Sequence, residues 1–158
     1  LSSSSRQVKL VEPTLRPACE TDSKPIKELI HLVGINPTGL DWKRFVVAVN
    51  AQDQVIACGQ LKPHGADAEI LELASLAVRP EFQGQGLGRL IIEYLLKKSP
   101  RPLYLMCESK NGGLYAKFGF RALEYKDMPR YFQRIKKLVG FVDTFMRSSE
   151  SLLVMKLE

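Results

Sequence analysis

Residues 83–88 read Gln-Gly-Gln-Gly-Leu-Gly and join a strand-like segment at 68–78 to an amphipathic helical segment that begins after Gly86. Gly84, Gly86 and Gly88 lack the Cβ atoms that would keep a phosphate away from backbone N–H groups. The start of the following helix offers unpaired N–H donors and the positive end of a helix dipole. The alternative is a tight turn with a purely structural role. The order of strand, glycine turn and helix predicts a phosphate-binding loop.

The spacing of the glycines separates this loop from two better-known phosphate loops. It reads Gly-x-Gly-x-Gly, whereas the dinucleotide-binding turn has one more residue before its third glycine. No Gly-Lys-Ser or Gly-Lys-Thr follows, which excludes a P-loop. The loop therefore predicts a phosphate-bearing ligand of another class.

Size and composition are those of a soluble globular domain. The chain has 158 residues, of which 45% are hydrophobic and 25% are charged. No apolar run approaches the roughly 18 to 20 residues that cross a bilayer, so no membrane partner is expected. The 23 basic and 17 acidic residues give a net charge of +6, which suits a polyanionic ligand as well as nucleic acid. Because the basic and aromatic motifs of the usual nucleic-acid modules are missing, nucleic acid is not the expected partner.

The cysteines argue against a metal site. Cys19, Cys58 and Cys107 are far apart, none has Cys-x-x-Cys spacing, and His31 and His64 add no ligand cluster. We therefore expect no metal and a reducing compartment. Cys58 and Cys107 lie in strand-like runs and are expected to be buried thiols. The alternative for Cys107 is a covalent acyl carrier, although no paired base accompanies it.

The first residues are rich in serine and free of acidic residues. They suggest either the end of an organelle transit peptide or an expression remnant. We expect residues 1–7 to be disordered and residues 8–158 to form a single domain. The cytoplasm and an organelle stroma or matrix both fit, as do a monomer and a homodimer.

Apolar periodicity predicts strands that alternate with helices. The predicted strands are 8–16, 44–50, 54–61, 68–78, 102–107, 120–124 and 152–157. The predicted helices are 23–33, 87–98, 111–118 and 130–139. Asp22 or Ser23 can cap the first helix, and Gly34 can end it. The second helix is expected to bury Leu87, Leu90, Ile91, Tyr94 and Leu95. This order favours a mixed α/β sandwich around one central sheet.

With its flanks, the loop resembles the coenzyme signature of the GNAT superfamily of N-acetyltransferases. That signature is Gln or Arg, two residues, Gly, one residue, then Gly or Ala, and here it corresponds to Gln83, Gly86 and Gly88. Residues 114–120 are similar to the family's Tyr-x-x-x-Gly-Phe hallmark. The resemblance covers residues 8–124 well. It implies the acyl-CoA N-acyltransferase fold, in which a mostly antiparallel sheet is splayed at its fourth and fifth strands and carries helices on both faces.

The same resemblance implies acetyl-CoA as the coenzyme, held in a V-shaped opening between the strands at 68–78 and 102–107. Acetyl would pass directly from the thioester to a neutral primary amine through a tetrahedral intermediate. The residues expected to bind the coenzyme are Leu76, Ala77, Val78, Gln83, Gly84, Gln85, Gly86, Leu87, Gly88, Arg89, Asn111 and Tyr115.

Glu72 is the candidate catalytic base. It aligns with a glutamate that many family members carry eleven residues before the signature glutamine. Strand alternation predicts that it shares one face with Ala74, Leu76 and Val78. A carboxylate on such a face is costly unless it is partnered or solvated, so a strand-end glutamate that reaches water is the alternative. Glu69, nearer the exposed start of the strand, is the second candidate.

Tyr115 occupies the family's proton-donor position, and its phenol has an ordinary pKa of about 10, suited to an alkyl thiolate leaving group. The alternative is an aromatic side chain that packs the short helix. Many relatives carry Asn seven residues earlier, where this chain has Glu108. Asn111 can substitute in that coenzyme contact, or Glu108 can instead hold a cationic amine.

The acceptor is less defined than the donor. A basic segment can recognise an acidic acceptor or the coenzyme's 3′-phosphate, or it can be a solvated helix face; it comprises Arg130, Arg134, Lys136 and Lys137. Residues 58–61, 68–70 and 76–78 are locally similar to N-acetylglutamate synthase GNAT domains. That similarity suggests an amino acid, with a protein lysine or N-terminus as other acceptors. A module that binds acetyl-CoA without turnover is the alternative to an enzyme.

Overall fold

The chain has a mixed α/β architecture in the computed structural model, which describes residues 12–65, 69–146 and 151–158. The seven strands of these residues are Thr14–Pro17 (β1), Phe45–Val49 (β2), Val55–His64 (β3), Ile70–Val78 (β4), Leu103–Glu108 (β5), Arg121–Ala122 (β6) and Leu152–Leu157 (β7). The four α-helices of the same residues are Ser23–Val33 (α1), Leu87–Lys98 (α2), Gly112–Ala116 (α3) and Arg130–Met146 (α4).

The strands form one sheet in the order β1-β2-β3-β4-β5-β7-β6. β4 runs parallel to β5, with Glu72 opposite Tyr104. This parallel pairing is much shorter than the antiparallel pairing of β5 with β7, which uses the full length of both strands. The predicted fold class, a mixed sheet that is mostly antiparallel, is confirmed.

The described residues cluster into two compact units. The first unit holds the described parts of Leu1–Gln60 and Ser75–Lys97, and the second holds those of Leu61–Ala74 and Lys98–Glu158. The chain passes from one unit to the other three times: within β3, within β4 and at the end of α2. That residues 8–158 form a single domain stays a prediction.

In the first unit, α1 and α2 cover opposite faces of the strands. The apolar face of α1 packs in a buried cluster with Val47 and Cys58. Gly59 follows in β3 and points the other way, where an added Cβ would lie 2.7 Å from Cγ2 of Ile91 in α2. The missing side chain at Gly59 therefore lets α2 approach the sheet closely.

Helix α1 begins and ends where the sequence predicts. Gly34 ends it with φ 74°, a left-handed conformation that glycine adopts without steric cost. Asp22 precedes the helix, but its carboxylate binds Arg16 at 2.6 and 3.1 Å and accepts the Cys19 N–H at 2.8 Å. The hydrogen bond from Arg16 is the main cause that lowers the pKa of Asp22. This carboxylate thus ties β1 to the start of α1.

In the second unit, α4 and α3 cover opposite faces of β7. Phe132 of α4 is fully buried and packs in a cluster with Tyr104 and Val154. Leu153, the neighbour of Val154, points to the other face, where its Cδ1 would lie 2.9 Å from a Cβ added at Gly112 of α3. A glycine at position 112 therefore allows α3 to pack closely on this strand.

Several predicted boundaries are wrong because tertiary contacts set them. β3 continues to His64 instead of ending at 61, and α4 continues to Met146 instead of ending at 139. The strand predicted at 120–124 shrinks to Arg121–Ala122, the residues that pair with β7. The strand predicted at 8–16 falls partly on residues 1–11, which lie outside the described part, and β1 begins at Thr14.

Helix α2 has the predicted position but a slightly different buried face. It buries Leu87, Ile91, Ile92 and Leu95. Leu90, predicted to be in the core, is 38% exposed, and Ile92 is fully buried. The helix is thus rotated about its axis relative to the predicted orientation, so that its buried face includes Ile92 instead of Leu90.

Candidate active site

The predicted phosphate loop lies in the first unit, between β4 and α2. Gly84 and Gly86 both have φ 81°, in the left-handed region that disfavours other residues. Both are exposed, and a Cβ added to either would meet nothing within 4 Å. Glycine is therefore required here by the backbone conformation, and the space in front of the loop is open to a ligand.

The start of α2 provides hydrogen-bond donors beside this open space. The Leu90 N–H donates to the Gly86 carbonyl at 3.1 Å and closes the first helical turn. By helix geometry, the N–H groups of Leu87, Gly88 and Arg89 precede that bond and have no intrahelical acceptor. With the positive end of the helix dipole, these donors fit a phosphate or pyrophosphate group.

Two exposed side chains beside the loop make local contacts. The Gln83 side-chain amide donates to the Val78 carbonyl at 3.1 Å, so it fixes the loop to the end of β4. The Arg89 guanidinium pairs with Glu93 at 2.9 Å. Ala77 is buried in the α1 cluster, so its side chain packs in the core.

An irregularity interrupts β4 at Ser75, which has φ 55°. The predicted alternation from Glu72 to Val78 is therefore broken. The Ser75 hydroxyl accepts a hydrogen bond at 2.8 Å from the side-chain amide of Gln60, which also donates to the Gly39 carbonyl at 3.2 Å. Gln60 is fully buried, and its Oε1 has no partner among the described residues. This network holds the unusual backbone conformation in place.

Glu72 is buried in the second unit and has a partner that the sequence did not reveal. Its Oε2 lies 2.5 Å from Nε2 of His64, and the two side chains are 7% and 8% exposed. Burial raises the pKa of Glu72, while the hydrogen bond and charge of His64 and the charge of Lys62 oppose the rise. The predicted need for a partner or for water is thus met by His64.

Tyr115, the candidate proton donor, is half-buried on α3 in the second unit. Its ring contacts Phe120 edge to face, with centroids 6.3 Å apart. Burial, with a contribution from Cys107, raises the pKa of Tyr115 to about 12. The phenol is therefore a weaker acid than the sequence suggests, and it keeps its proton throughout the neutral range.

The other polar candidates of the second unit are exposed. Glu69 precedes β4 and is exposed, in contrast to the buried Glu72. Glu108 pairs with Lys110 at 3.0 Å. Asn111 is exposed at the start of α3, where its side chain makes no capping hydrogen bond. Of the two candidate bases, burial and a hydrogen-bond partner distinguish Glu72.

The predicted basic segment lies on α4, but it is not one surface. Lys136 donates to the Leu152 carbonyl of β7 at 2.5 Å. The other three cations line a groove of about 290 Å³ with two further side chains: Tyr125, Arg130, Gln133, Arg134 and Lys137. The Lys137 ammonium lies 5.9 Å from the centroid of the Tyr125 ring. A tyrosine thus borders the cations of this face.

The three cysteines are free thiols. Burial raises the pKa of Cys58 to about 12 and also raises that of Cys107, where the negative charge of Glu108 adds to the effect. Neither environment favours the thiolate that a covalent acyl carrier requires. In the described part of the chain, no three His, Cys, Asp or Glu side chains converge on a metal position. No helix there is both long and apolar enough to span a membrane.

Comparison with known proteins identifies the family. The family model of the acetyltransferase (GNAT) domain matches residues 41–122, which is more than half of the chain. The chain therefore belongs to the GNAT acetyltransferase family. A search of the curated proteins found no match.

Solved structures share the fold at low sequence identity. N-acetylglutamate synthase from Neisseria gonorrhoeae, in complex with coenzyme A and N-acetyl-glutamate, matches with a TM-score of 0.71 and 20% identity over 93% of this chain. The chain spans about a third of that protein, 35% of its length. Rv2747 from Mycobacterium tuberculosis, solved with coenzyme A, matches with a TM-score of 0.63 and 23% identity over 92% of this chain and 100% of its own. Escherichia coli ElaA matches with a TM-score of 0.68 and 13% identity over 93% of this chain and 100% of its own.

Proposed function

We propose that the protein transfers the acetyl group of acetyl-CoA to a primary amine. The observation that carries this proposal is the exposed 83–88 loop at the start of α2, with open space in front of Gly84 and Gly86 in a GNAT acetyltransferase chain. Acetyl-CoA supplies an activated acetyl thioester. The coenzyme A in the N-acetylglutamate synthase and Rv2747 structures supports the same coenzyme here.

In this proposal the first unit binds the coenzyme. The N–H groups of residues 84–89 bind the pyrophosphate, and the Gln83 amide holds the loop in the shape that presents them. Leu76 and Val78, both partly exposed on β4, provide apolar contacts for the pantetheine arm. Asn111 remains the candidate for a further coenzyme contact.

Glu72 is the proposed base. An amine is an ammonium ion at neutral pH, and only its free-base form has the electron pair needed for attack. A carboxylate whose pKa is raised by burial is a stronger proton acceptor than an exposed one, and Glu72 has this property. Glu69, the other candidate, is exposed to solvent.

Tyr115 is the proposed acid. With a pKa of about 12 it is protonated at neutral pH, so its Oη can donate a proton to the departing thiolate. Among the residues that the structure describes, none forms a hydrogen bond with this hydroxyl that would compete for the proton. Backbone N–H groups would stabilise the oxyanion, as they do in other acyl transfers.

An amino acid is the proposed acceptor class. The support is the likeness to N-acetylglutamate synthase, whose structure contains N-acetyl-glutamate. Peptide N-termini and lysines are the other amines to be compared with it. A module that binds acetyl-CoA without turnover is the competing function, and the buried Glu72 together with Tyr115 favours the enzyme.

The test is an acceptor screen with detection of the released thiol, which covers amino acids including L-glutamate, polyamines, arylalkylamines and peptides. With an active acceptor, Glu72→Gln should lower turnover roughly 10²- to 10⁴-fold, the usual contribution of a general base. The matched variant Glu69→Gln changes an exposed carboxylate three residues away and should have little effect. Both variants should bind coenzyme A as the wild type does in calorimetry.

Two results would count against the proposal. Coenzyme A binding with background thiol release for every acceptor would favour the binding module. No coenzyme A binding by the folded protein would remove the donor site itself.

A further inference from the structure

The buried cluster around Glu72 contains a second titratable side chain that no motif of the sequence indicates. His64 is the last residue of β3, and its Nε2 lies 2.5 Å from Oε2 of Glu72. We propose that His64 is a positioning residue that keeps Glu72 ionised and correctly oriented, so that this pair acts as the proton acceptor for the amine. This inference rests on the proposed function, because it assigns a partner to the proposed base.

Glu72 needs such a partner because its surroundings disfavour a negative charge. Its side chain is 7% exposed, and a carboxylate removed from water tends to take up a proton. A protonated Glu72 could not accept another proton from an ammonium ion. A hydrogen bond from His64 Nε2 stabilises the ionised form and offsets part of that penalty.

Two aromatic rings of α4 fix the orientation of the imidazole. Tyr131 stacks on His64 with ring centroids 3.8 Å apart and planes 18° apart. Phe132 meets the imidazole edge to face at 6.2 Å. Because the stack limits rotation of the His64 ring, Nε2 remains directed at the carboxylate. The start of α4 thereby controls the geometry of a hydrogen bond between β3 and β4.

The other charged and titratable groups around Glu72 have defined effects. Lys62, on β3, lowers the pKa of Glu72 through its charge. Tyr131, on α4, has a pKa raised by burial and by the negative charge of Glu72, so its phenol stays neutral. Tyr104 is opposite Glu72 on β5. His64 is the group that the structure places in direct hydrogen-bond contact with the carboxylate.

The proposed step conserves atoms and charge. One N–H bond of the ammonium breaks, its electron pair stays on the amine nitrogen, and the proton passes to the pair. The carboxylate of Glu72 takes this proton, so the charge of its side chain rises from −1 to zero. The amine can then attack, and the pair later returns the proton to solvent.

His64→Gln tests the inference, since glutamine keeps a neutral hydrogen-bond donor but lacks the charge through which His64 also lowers the pKa of Glu72. The acidic limb of the kcat/KM profile should move to higher pH by about one unit, which is roughly a tenfold loss at a pH on that limb. Activity should recover as the pH rises, and coenzyme A affinity should not change. His31→Gln is the matched control, because His31 is exposed on α1 and is the other histidine of the chain.

A second readout does not depend on turnover. In protein labelled with ¹³C at the glutamate carboxyl carbons, the Glu72 signal is assigned by its loss in Glu72→Gln. Its titration midpoint should be higher in His64→Gln than in the wild type. If the midpoint rises while no acceptor is turned over, the pairing holds and the proposed function fails.

The inference is overturned if the Glu72 midpoint and the pH profile of His64→Gln match those of the wild type, whatever the overall activity. A uniform loss across the pH range would likewise indicate a structural role. If His64→Gln does not fold, Tyr131→Leu replaces it, because this variant removes the stacked ring and leaves both polar groups. It should raise the Glu72 midpoint, whereas Tyr131→Phe should not, and equal midpoints in both variants would reject the positioning role.

Discussion

Gly86→Glu tests the phosphate loop most directly when it is paired with Gly34→Glu. Both glycines are exposed, with φ of 81° and 74°, and neither has an atom within 4 Å of an added Cβ. Each substitution therefore has the same backbone strain, about 1–2 kcal/mol for a non-glycine residue in the left-handed region. In a chain of this size, that loss lowers Tm by roughly 2–8 °C. The two variants also carry the same change in net charge.

Only the position of the new charge differs between the two variants. A carboxylate at position 86 about 5 Å from a pyrophosphate that carries about two charges is repelled by about 3.3 kcal/mol in total at an effective dielectric constant of about 40. This energy corresponds to roughly 250-fold weaker binding of coenzyme A. Gly34 is the residue at which α1 ends and is not part of the 83–88 loop, so Gly34→Glu should leave the affinity nearly unchanged.

Isothermal calorimetry with coenzyme A, at two salt concentrations, measures the effect. The loss in Gly86→Glu should be smaller at high salt, since exposed charges are screened. Unchanged affinity in a folded Gly86→Glu protein would refute the loop as the pyrophosphate site. An equal loss in Gly34→Glu would attribute the effect to strain or to net charge.

Tyr115→Phe should lower kcat by roughly 10²-fold or more with coenzyme A affinity unchanged, and full activity would exclude Tyr115 as the acid. Because the pKa of Tyr115 is about 12, the wild-type kcat should show no basic limb from this group below about pH 11. Gly59→Ala should lower the free energy of unfolding by about 1–3 kcal/mol, because the new Cβ would lie 2.7 Å from Cγ2 of Ile91. Gly113→Ala is the control, since a Cβ there would meet no atom within 4 Å, and urea denaturation compares the two variants. Asp22→Asn should be less stable than the wild type at pH 7 by about 1–3 kcal/mol. Because the pKa of Asp22 is lowered in the folded protein, the stability difference should be fully present at pH values above the ordinary aspartate pKa near 4. It should vanish as the pH falls through the lowered pKa of the folded state, and a difference that persists in acid would contradict the ion pair.

Local signals made much of the fold predictable. Helix α1 has a stop glycine at position 34, and β7 matches its predicted range, because apolar periodicity and a special backbone residue are properties of neighbouring residues. β6 was predicted too long, since its length depends on how Arg121–Ala122 pairs with a strand more than thirty residues later. Pairing of that kind is a long-range property that no short window contains.

In the candidate site, too, local features were predictable and long-range contacts were not. The glycine loop is a contiguous motif, so its position was readable from residues 83–88 alone. The contact of His64 with Glu72 was not predicted, because the predicted strand ended at residue 61 and left His64 in a loop. Three more residues of β3 bring the imidazole to the carboxylate, a contact between two strands that a short sequence window does not contain.

The unequal environments of the three thiols affect how acetyl transfer can be measured. Cys19 is exposed, whereas Cys58 and Cys107 are buried. A thiol-reactive dye added to the native protein should therefore label one position per chain quickly and leave the other two until the protein unfolds. In an assay that counts released coenzyme A, this single fast equivalent would be mistaken for a first turnover. Cys19→Ser would remove that background, and the wild-type thiol offers a single attachment point for a fluorescent reporter.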